Sequence, residues 1–188
     1  MKKIIIVGSS GSGKTTLARR LSVILGIPHT ELDAIHHQAH WQPMDNVEFA
    51  KQVNDIAQGS EWIFCGNYFS TLGLGFWRQA DTIIWCDYSL GRVFARLLRR
   101  TLRRTLTKER LWNGNYERFF VNFLTKDSVI LWMLQSWKKQ QRRYSEIFSQ
   151  SSALPHTNLI RLRNPKDTEL FVKQIRENVP IHKIEPLQ

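Results

Sequence analysis

Residues Gly8-Ser9-Ser10-Gly11-Ser12-Gly13-Lys14-Thr15 carry the most specific chemical pattern in the chain. They fit G-x-x-x-x-G-K-[ST], a spacing that cradles phosphate. Glycines let backbone N–H groups curl round the phosphate oxygens, where a Cβ would block approach. A helix that starts directly afterwards adds the partial positive charge of its N-terminus. On this pattern Gly8, Ser9, Gly11, Ser12, Gly13, Lys14, Thr15 and Thr16 bind a nucleoside triphosphate. Lys14 reaches the β- and γ-phosphates, and the Thr15 hydroxyl ligates Mg²⁺. The pattern alone does not choose between ATPase, GTPase and kinase, but the N-K-x-D base-reading element expected of a GTPase does not occur.

Other residues must supply an acceptor. Asp33 follows Leu32 at the expected end of a second strand, and an Asp at that edge faces the ligand crevice of an open α/β sheet. There it holds Mg²⁺ through water or orients an acceptor hydroxyl; the alternative is an N-cap of the next turn. His36 and His40 stand four apart, as zinc ligands on a helix do. No third ligand completes a metal spacing, so a polar pocket wall or solvated loop is the better reading. Cys65-Gly66-Asn67-Tyr68 closes a third strand, with a glycine that permits close ligand approach and two side chains that hydrogen-bond or stack. On residue types alone a plain strand-to-loop turn fits equally well. The acceptor-side candidates are therefore Asp33, His36, Asn67, Tyr68 and Arg78.

Charge singles out one region. The net charge of +11 rests on 27 basic and 16 acidic residues, and residues 90–143 hold 14 of the basic and 3 of the acidic ones. The rest of the chain balances, so the excess marks a local anion-handling surface. Arg92, Arg96, Arg99 and Arg103 recur at helical spacing and run on into Lys108, Arg110 and Arg118. Arginine forks stabilise a transferring phosphoryl group, which makes Arg103 and Arg110 catalytic candidates beside Lys14 and Asp33. Most of the others are expected at the surface. Trp112, Tyr116, Phe119 and Phe120 interleave with these cations. A hydrophobic hinge under a lid suits them better than a platform for nucleic-acid bases.

These residues need elements to position them. Lys3 to Val7 reads as a buried strand, and Leu17, Ala18, Leu21 and Leu25 as the face of a helix that Gly26 ends. A weaker strand is expected over 27–32. A helix capped by Asp45 carries Phe49, Val53 and Ile56 and ends at Gly59. Two central strands cover Trp62 to Cys65 and Thr82 to Cys86. A strongly amphipathic helix covers 90–106, a long helix 129–148, a last strand 156–162 and a last helix about 167–178, with a loose tail after Pro180. Alternating strands and helices imply a mainly parallel sheet covered on both faces. The 188 residues suit one domain, and the irregular stretch within about 104–126 reads as a mobile lid.

Composition excludes other classes. The hydrophobic share is 42% and the charged share 23%, a globular balance. The longest apolar run has six residues, Val129 to Leu134, where a membrane helix needs about twenty. The apolar stretch behind Lys2 and Lys3 is too short for a signal peptide. Two cysteines make no disulfide framework. These features suggest a cytoplasmic protein without a membrane partner, a monomer or a homodimer.

The order of motifs is distinctive: the phosphate loop, Leu32-Asp33-Ala34, Trp41, Trp62 to Tyr68, Ala80-Asp81-Thr82, the arginine-rich helix, Trp112-Asn113-Gly114-Asn115-Tyr116-Glu117, and Arg161 to Pro165. Over about residues 2–178 it resembles a group of small bacterial P-loop proteins related to adenylate and shikimate kinases, some labelled DNA topology modulation protein. The resemblance implies a three-layer α/β P-loop NTPase fold with five parallel strands, the phosphate-loop strand central, and a short arginine-bearing helical lid. It also implies that Asn164 and Pro165 lie beside the adenine. Two departures stand out. Relatives usually carry an acidic residue where this chain has Cys65, which leaves Asp33 to serve Mg²⁺. Their Asn-Gly-Asn motif is commonly followed by Arg, where this chain has Tyr116.

The expected function is thus ATP- and Mg²⁺-dependent phosphoryl transfer to a small molecule, a nucleotide or nucleoside among the candidates. A nucleic-acid-binding ATPase is the alternative, and a nucleotide-binding module without turnover is a third reading, favoured by Cys65.

Overall fold

The computed structural model describes residues 1–116 and 129–178. Strand β1 (Lys3–Val7) is buried from Ile4 onward. An unbroken apolar strand of this kind needs cover on both faces, as inner parallel strands have. It pairs in parallel with β3 (Trp62–Cys65) and β4 (Thr82–Cys86), with β2 (His29–Glu31) outside β3 and β5 (Asn158–Leu162) outside β4. The order is β2-β3-β1-β4-β5. Ile6 stands opposite both Cys65 and Ile84, so the central strands finish level and the loops after them share one edge.

The helices are α1 (Lys14–Leu25), α2 (Leu32–His36), α3 (Asn46–Ala57), α4 (Phe69–Trp77), α5 (Leu90–Thr107), α6 (Val129–Ser149) and α7 (Pro165–Asn178). The two-residue period of β1 sorts them. Ile4 and Ile6 pack with Leu17, Ala18 and Leu21 of α1 and Val172 of α7. Ile5 and Val7 pack on the other face with Phe49 and Val53 of α3, Phe76 and Trp77 of α4, and Tyr144 of α6. Val93 and Leu97 of α5 form a smaller cluster with Tyr88 and Met133. This is the expected α/β architecture, a five-stranded parallel sheet between helical layers. No helix among the described residues is long and apolar enough to cross a membrane.

Three local expectations change. β2 stops at Glu31 and α2 starts at Leu32, which places Asp33 in the first turn of a short helix rather than at a strand end. α4 was not expected: Gly73 and Gly75 interrupt its pattern, and Gly73, at φ +70, kinks it. Ile56 is exposed, and Ala57 takes the buried position in its turn. The caps agree with the sequence. Asp45 accepts from the N–H groups of Val47 (2.8 Å) and Glu48 (3.2 Å), and Gly26 closes α1 in the left-handed region. The expected lid lies partly outside the described residues, as do Arg118, Phe119, Phe120 and the tail after Pro180.

Candidate active site

The phosphate loop joins β1 to α1 at the carboxyl edge of the sheet. Two of its glycines are required by the protein itself. A Cβ on Gly8 (φ +142) would stand 2.6 Å from the Cys86 carbonyl oxygen, and one on Gly11 (φ +87) 2.4 Å from that of Val93. The loop is thus wedged against β4 and the first turn of α5. Ser12 donates its backbone N–H to the Ser9 carbonyl at 3.0 Å, and the Lys14 ammonium donates to that carbonyl at 3.1 Å. Burial lowers the Lys14 pKa, opposed by Asp33 and the two cysteines and assisted by Arg100. The Ser12 hydroxyl is buried and has no hydrogen-bond partner among the described residues. A bound anion would supply the acceptor that this hydroxyl lacks.

Asn67 holds the loop from the side. It accepts from the Gly8 N–H at 3.0 Å, donates to the Gly8 carbonyl at 2.6 Å, and accepts from the Tyr144 hydroxyl at 3.2 Å. Gln140 of α6 accepts from the Ser9 hydroxyl and from the Asn67 amide. Asn67, an acceptor-side candidate on sequence, is therefore a fastener of the phosphate loop. Asn67→Ala strips both backbone groups of Gly8 of their partner. It is expected to cost about 1–3 kcal/mol of stability and to weaken nucleotide binding, read by thermal melting and titration calorimetry. An unchanged nucleotide affinity would show that the loop keeps its shape unaided.

Thr15 faces a mixed donor set. Its hydroxyl stands 3.4 Å from Glu31 Oε2 and 3.8 Å from Cys65 Sγ. Glu31 Oε1 accepts from Arg19 at 2.8 Å, and His29 Nε2 lies 3.3 Å from Cys65 Sγ. Burial pushes the Cys65 thiol up to about 12. The sequence does not single out Glu31, because a glutamate at the end of a short strand carries no motif of its own. Its position two residues before Asp33 on an exposed-edge strand was the available signal.

Asp33 accepts from the Tyr68 hydroxyl at 2.8 Å and is close enough to Lys14 to oppose the lowering of its pKa. His36 packs its ring at 5.0 Å from Tyr68 and 5.3 Å from Phe49. Asp33, His36 and Tyr68 therefore share one wall, with Asp33 within electrostatic reach of Lys14. His40 lies in a turn rather than a helix, and among the described residues no group of three or more His, Cys, Asp or Glu could hold a metal ion alone.

Arg78 requires correction. Its guanidinium donates to the Ala153 carbonyl at 3.3 Å, and the residues that follow it lead into the amino end of β4, where Asp81 accepts from the N–H groups of Lys2 and Lys3. Arg78 therefore lies at the far edge of the sheet from the phosphate loop. The chain reverses through all of α4 between Tyr68 and Arg78, and that helix was not foreseen.

The two lid arginines are also placed elsewhere. Arg103 donates to Glu109 at 2.9 Å, and exposed Arg110 donates to the Tyr116 hydroxyl at 2.5 Å. The arginine beside the loop is Arg96: its Nη1 lies 3.6 Å from where a Gly13 Cβ would stand, and its guanidinium sits 5.5 Å from the Tyr88 ring. Arg100, one turn on, acts electrostatically on Lys14. Sequence spacing put Arg96 and Arg103 on one helix, with Arg110 beyond its end, but could not say which turn of it abuts the loop.

Thr16 is exposed in the first turn of α1. Asn164 caps α7, accepting from the N–H groups of Lys166 (2.9 Å) and Asp167 (3.1 Å). Pro165 opens that helix. The loop they form follows β5, at the same edge as the phosphate loop, and Thr168 bonds the Tyr88 hydroxyl at 2.6 Å.

The Asn113-Gly114-Asn115 turn docks on α2 and the segment that follows it. Asn113 donates to the carbonyls of Ala34 (3.2 Å) and His37 (2.6 Å), and Asn115 donates to that of Gln38 (2.9 Å). In return the Trp41 backbone N–H donates to Asn115 Oδ1 at 3.0 Å, and its indole to the Tyr116 carbonyl at 3.1 Å.

His29, His36 and His37 all lie below the ordinary histidine value, because burial disfavours the imidazolium. The unfolded chain therefore takes up protons first as the pH falls below about 6.5. Their contribution to stability is complete above that value and declines below it. The melting temperature is expected to hold from pH 8 to 7 and then fall on acidification, less so in a His29→Gln/His37→Gln variant. A melting temperature that rises on acidification would contradict this.

Two solved structures align over nearly the whole chain. Shikimate kinase from Bacteroides thetaiotaomicron matches at TM-score 0.56 and 15% identity, covering 93% of this chain and 96% of its own. The fold is the one that this shikimate kinase has. Shikimate kinase from Acinetobacter baumannii, solved with shikimate, matches at TM-score 0.57 and 15% identity, covering 93% and 90%. The family model described as ethanolamine utilisation – propanediol utilisation, PduV-EutP, matches residues 1–85, the part of the chain that runs from the phosphate-loop strand to Trp85. No curated protein matches the sequence significantly.

Proposed function

We propose that the chain is an ATP-dependent phosphotransferase whose acceptor is a small hydroxyl-bearing molecule, with nucleosides and nucleotides the first candidates. The observation that carries this reading is Asp33, a carboxylate held by Tyr68 and within electrostatic reach of Lys14. That placement suits a base that receives the acceptor's proton while the loop holds the donor. The loop N–H groups, the Ser12 hydroxyl and Lys14 would hold the triphosphate. Arg96 and Arg100 would balance charge on its outer side, in place of Arg103 and Arg110. Tyr68 and His36 would orient the acceptor, and the loop at Asn164 and Pro165 would border the base. The donor set fits a divalent cation: Thr15 and Glu31 would hold it, with Asp33 reaching it through water. When bound, that cation neutralises charge on the phosphates. Both cysteines are free and buried, in keeping with a reducing compartment such as the cytoplasm.

The test is ADP release from ATP across a panel of nucleosides, nucleotides, sugars and hydroxy acids, with a no-acceptor control. Acceptor-dependent ADP from at least one class is expected. Tight ATP binding with no ADP from any of them would favour a binding module without turnover.

One observation favours a second reading. Arg92, Arg99, Arg103, Lys108 and Arg110 are exposed along and beyond α5, and Lys138, Lys139 and Arg142 along α6. A nucleic-acid-binding ATPase would use this outer face. In that case DNA affinity should fall steeply with salt, and each phosphate contact removed should lower the log–log slope by about 0.9. We expect weak, non-specific binding at physiological salt instead, measured by fluorescence anisotropy. ATPase activity that arises only when DNA is added would reverse the ranking.

A further inference from the structure

We propose that the divalent cation accompanying nucleotide at this site is drawn from the thiophilic class, with Zn²⁺ as its representative, rather than being Mg²⁺. The inference rests on the nucleotide-binding reading above and concerns the donors that surround Thr15. Three come from three different elements: the Thr15 hydroxyl from α1, Glu31 Oε2 from β2, and Cys65 Sγ from β3.

Their spacing suits a tetrahedral ion. With metal–oxygen bonds of about 2.1 Å and a metal–sulfur bond of about 2.3 Å, tetrahedral edges come to about 3.4 Å for O···O and about 3.6 Å for O···S. The observed separations from Thr15 are 3.4 Å to Glu31 and 3.8 Å to Cys65. Adjacent oxygens around octahedral Mg²⁺ stand closer, about 2.9 Å apart at bond lengths of about 2.05 Å. Hard Mg²⁺ also gains little from sulfur, whereas thiolate selects softer ions.

The surroundings support the same donors. Arg19 occupies Glu31 Oε1 at 2.8 Å, which leaves Oε2 turned toward Thr15. Such outer contacts fix the orientation of a ligating carboxylate. His29 Nε2 lies 3.3 Å from Cys65 Sγ. Coordination through that sulfur would displace the thiol proton to solvent, with the half-buried imidazole as a relay rather than the final acceptor. Metal coordination itself drives the ionisation of a thiol that burial otherwise keeps protonated.

The protein does not complete the shell alone, since no sufficient cluster of His, Cys, Asp and Glu exists among the described residues. Phosphate oxygens of the nucleotide must supply the remaining positions. Cation binding at Cys65 is therefore nucleotide-dependent.

Cd²⁺ serves as the probe, because a cadmium–thiolate bond gives an ultraviolet charge-transfer band. Titrating the full chain with Cd²⁺ should produce the band when ADP is present and not when it is absent. The band should be lost in Cys65→Ser and kept in Cys86→Ser. ADP affinity, measured by calorimetry, should be at least tenfold higher with Cd²⁺ or Zn²⁺ than with Mg²⁺, and Cys65→Asp should reverse that order. A band that forms equally without ADP, or ADP affinity equal for Mg²⁺ and Cd²⁺ with no band, overturns the proposal while leaving nucleotide binding intact. Failure of ADP to bind with any cation overturns both this proposal and the functional reading beneath it. The comparison of wild-type protein with and without ADP decides the question even if the serine variant does not fold.

Discussion

Lys14→Ala is expected to lower phosphoryl transfer about a hundred- to a thousandfold, the usual loss when one preorganised group facing developing charge is removed. Nucleotide affinity should fall as well, by about tenfold or more, as a charge-assisted hydrogen bond worth about 1.5–3 kcal/mol disappears. Stability should behave differently. The Lys14 side chain is half-buried, desolvation lowers its pKa, and its ammonium donates to the Ser9 carbonyl within the same loop. Removing it relieves an unfavourable desolvation, so the melting temperature should hold or rise. The pairing of lost turnover with retained stability distinguishes a functional charge from a structural one. Full activity in the alanine variant would end the nucleotide reading.

Asp33→Asn is expected to lower kcat by about two to four orders of magnitude, the range for loss of a general base. The nucleotide KM should stay nearly unchanged. Asparagine keeps an oxygen for the Tyr68 hydroxyl, now 2.8 Å from Asp33 Oδ1, so the wall of the site should retain its shape. Only the capacity to take a proton is lost. Acceptor-dependent ADP release measured over a range of both substrates checks the split. A kcat within threefold of the wild-type value would remove Asp33 from the chemistry and leave it a purely positioning role.

The phosphate loop and the strands beside it were legible because their signals are local. A run such as Ile4-Ile5-Ile6-Val7 has few alternatives to a buried strand, and the glycine spacing after it declares its own geometry. Asp33 was legible as a candidate even though the element that carries it was not. Moving from strand end to helix first turn shifts a side chain little when both lie at the same edge. Arg78 failed because its placement depends on α4. Two glycines lower the helical propensity there by about 1 kcal/mol each, and only packing of Phe76 and Trp77 into the core restores the helix. Glu31 and Gln140 were invisible for a related reason. Each is an ordinary polar residue on its own element and gains meaning only from a partner far away in sequence. Arg103 shows the converse, since arginines of equal type and spacing on α5 are separated by which turn meets Gly11, and Arg110 lies beyond the end of that helix.

The docking of the Asn113-Gly114-Asn115 turn on residues 34–41 has a kinetic consequence. His40 and Trp41 both hold φ near +59, a left-handed conformation that costs a non-glycine residue about 1–2 kcal/mol. Bonds to Asn115 and Tyr116 offset part of that cost, and the same bonds tie the turn down. Neither segment can relax while the other stays in place, so the two release together. The backbone amides of Trp41 and Asn115 should then exchange with solvent deuterium in a correlated burst, at one shared opening rate.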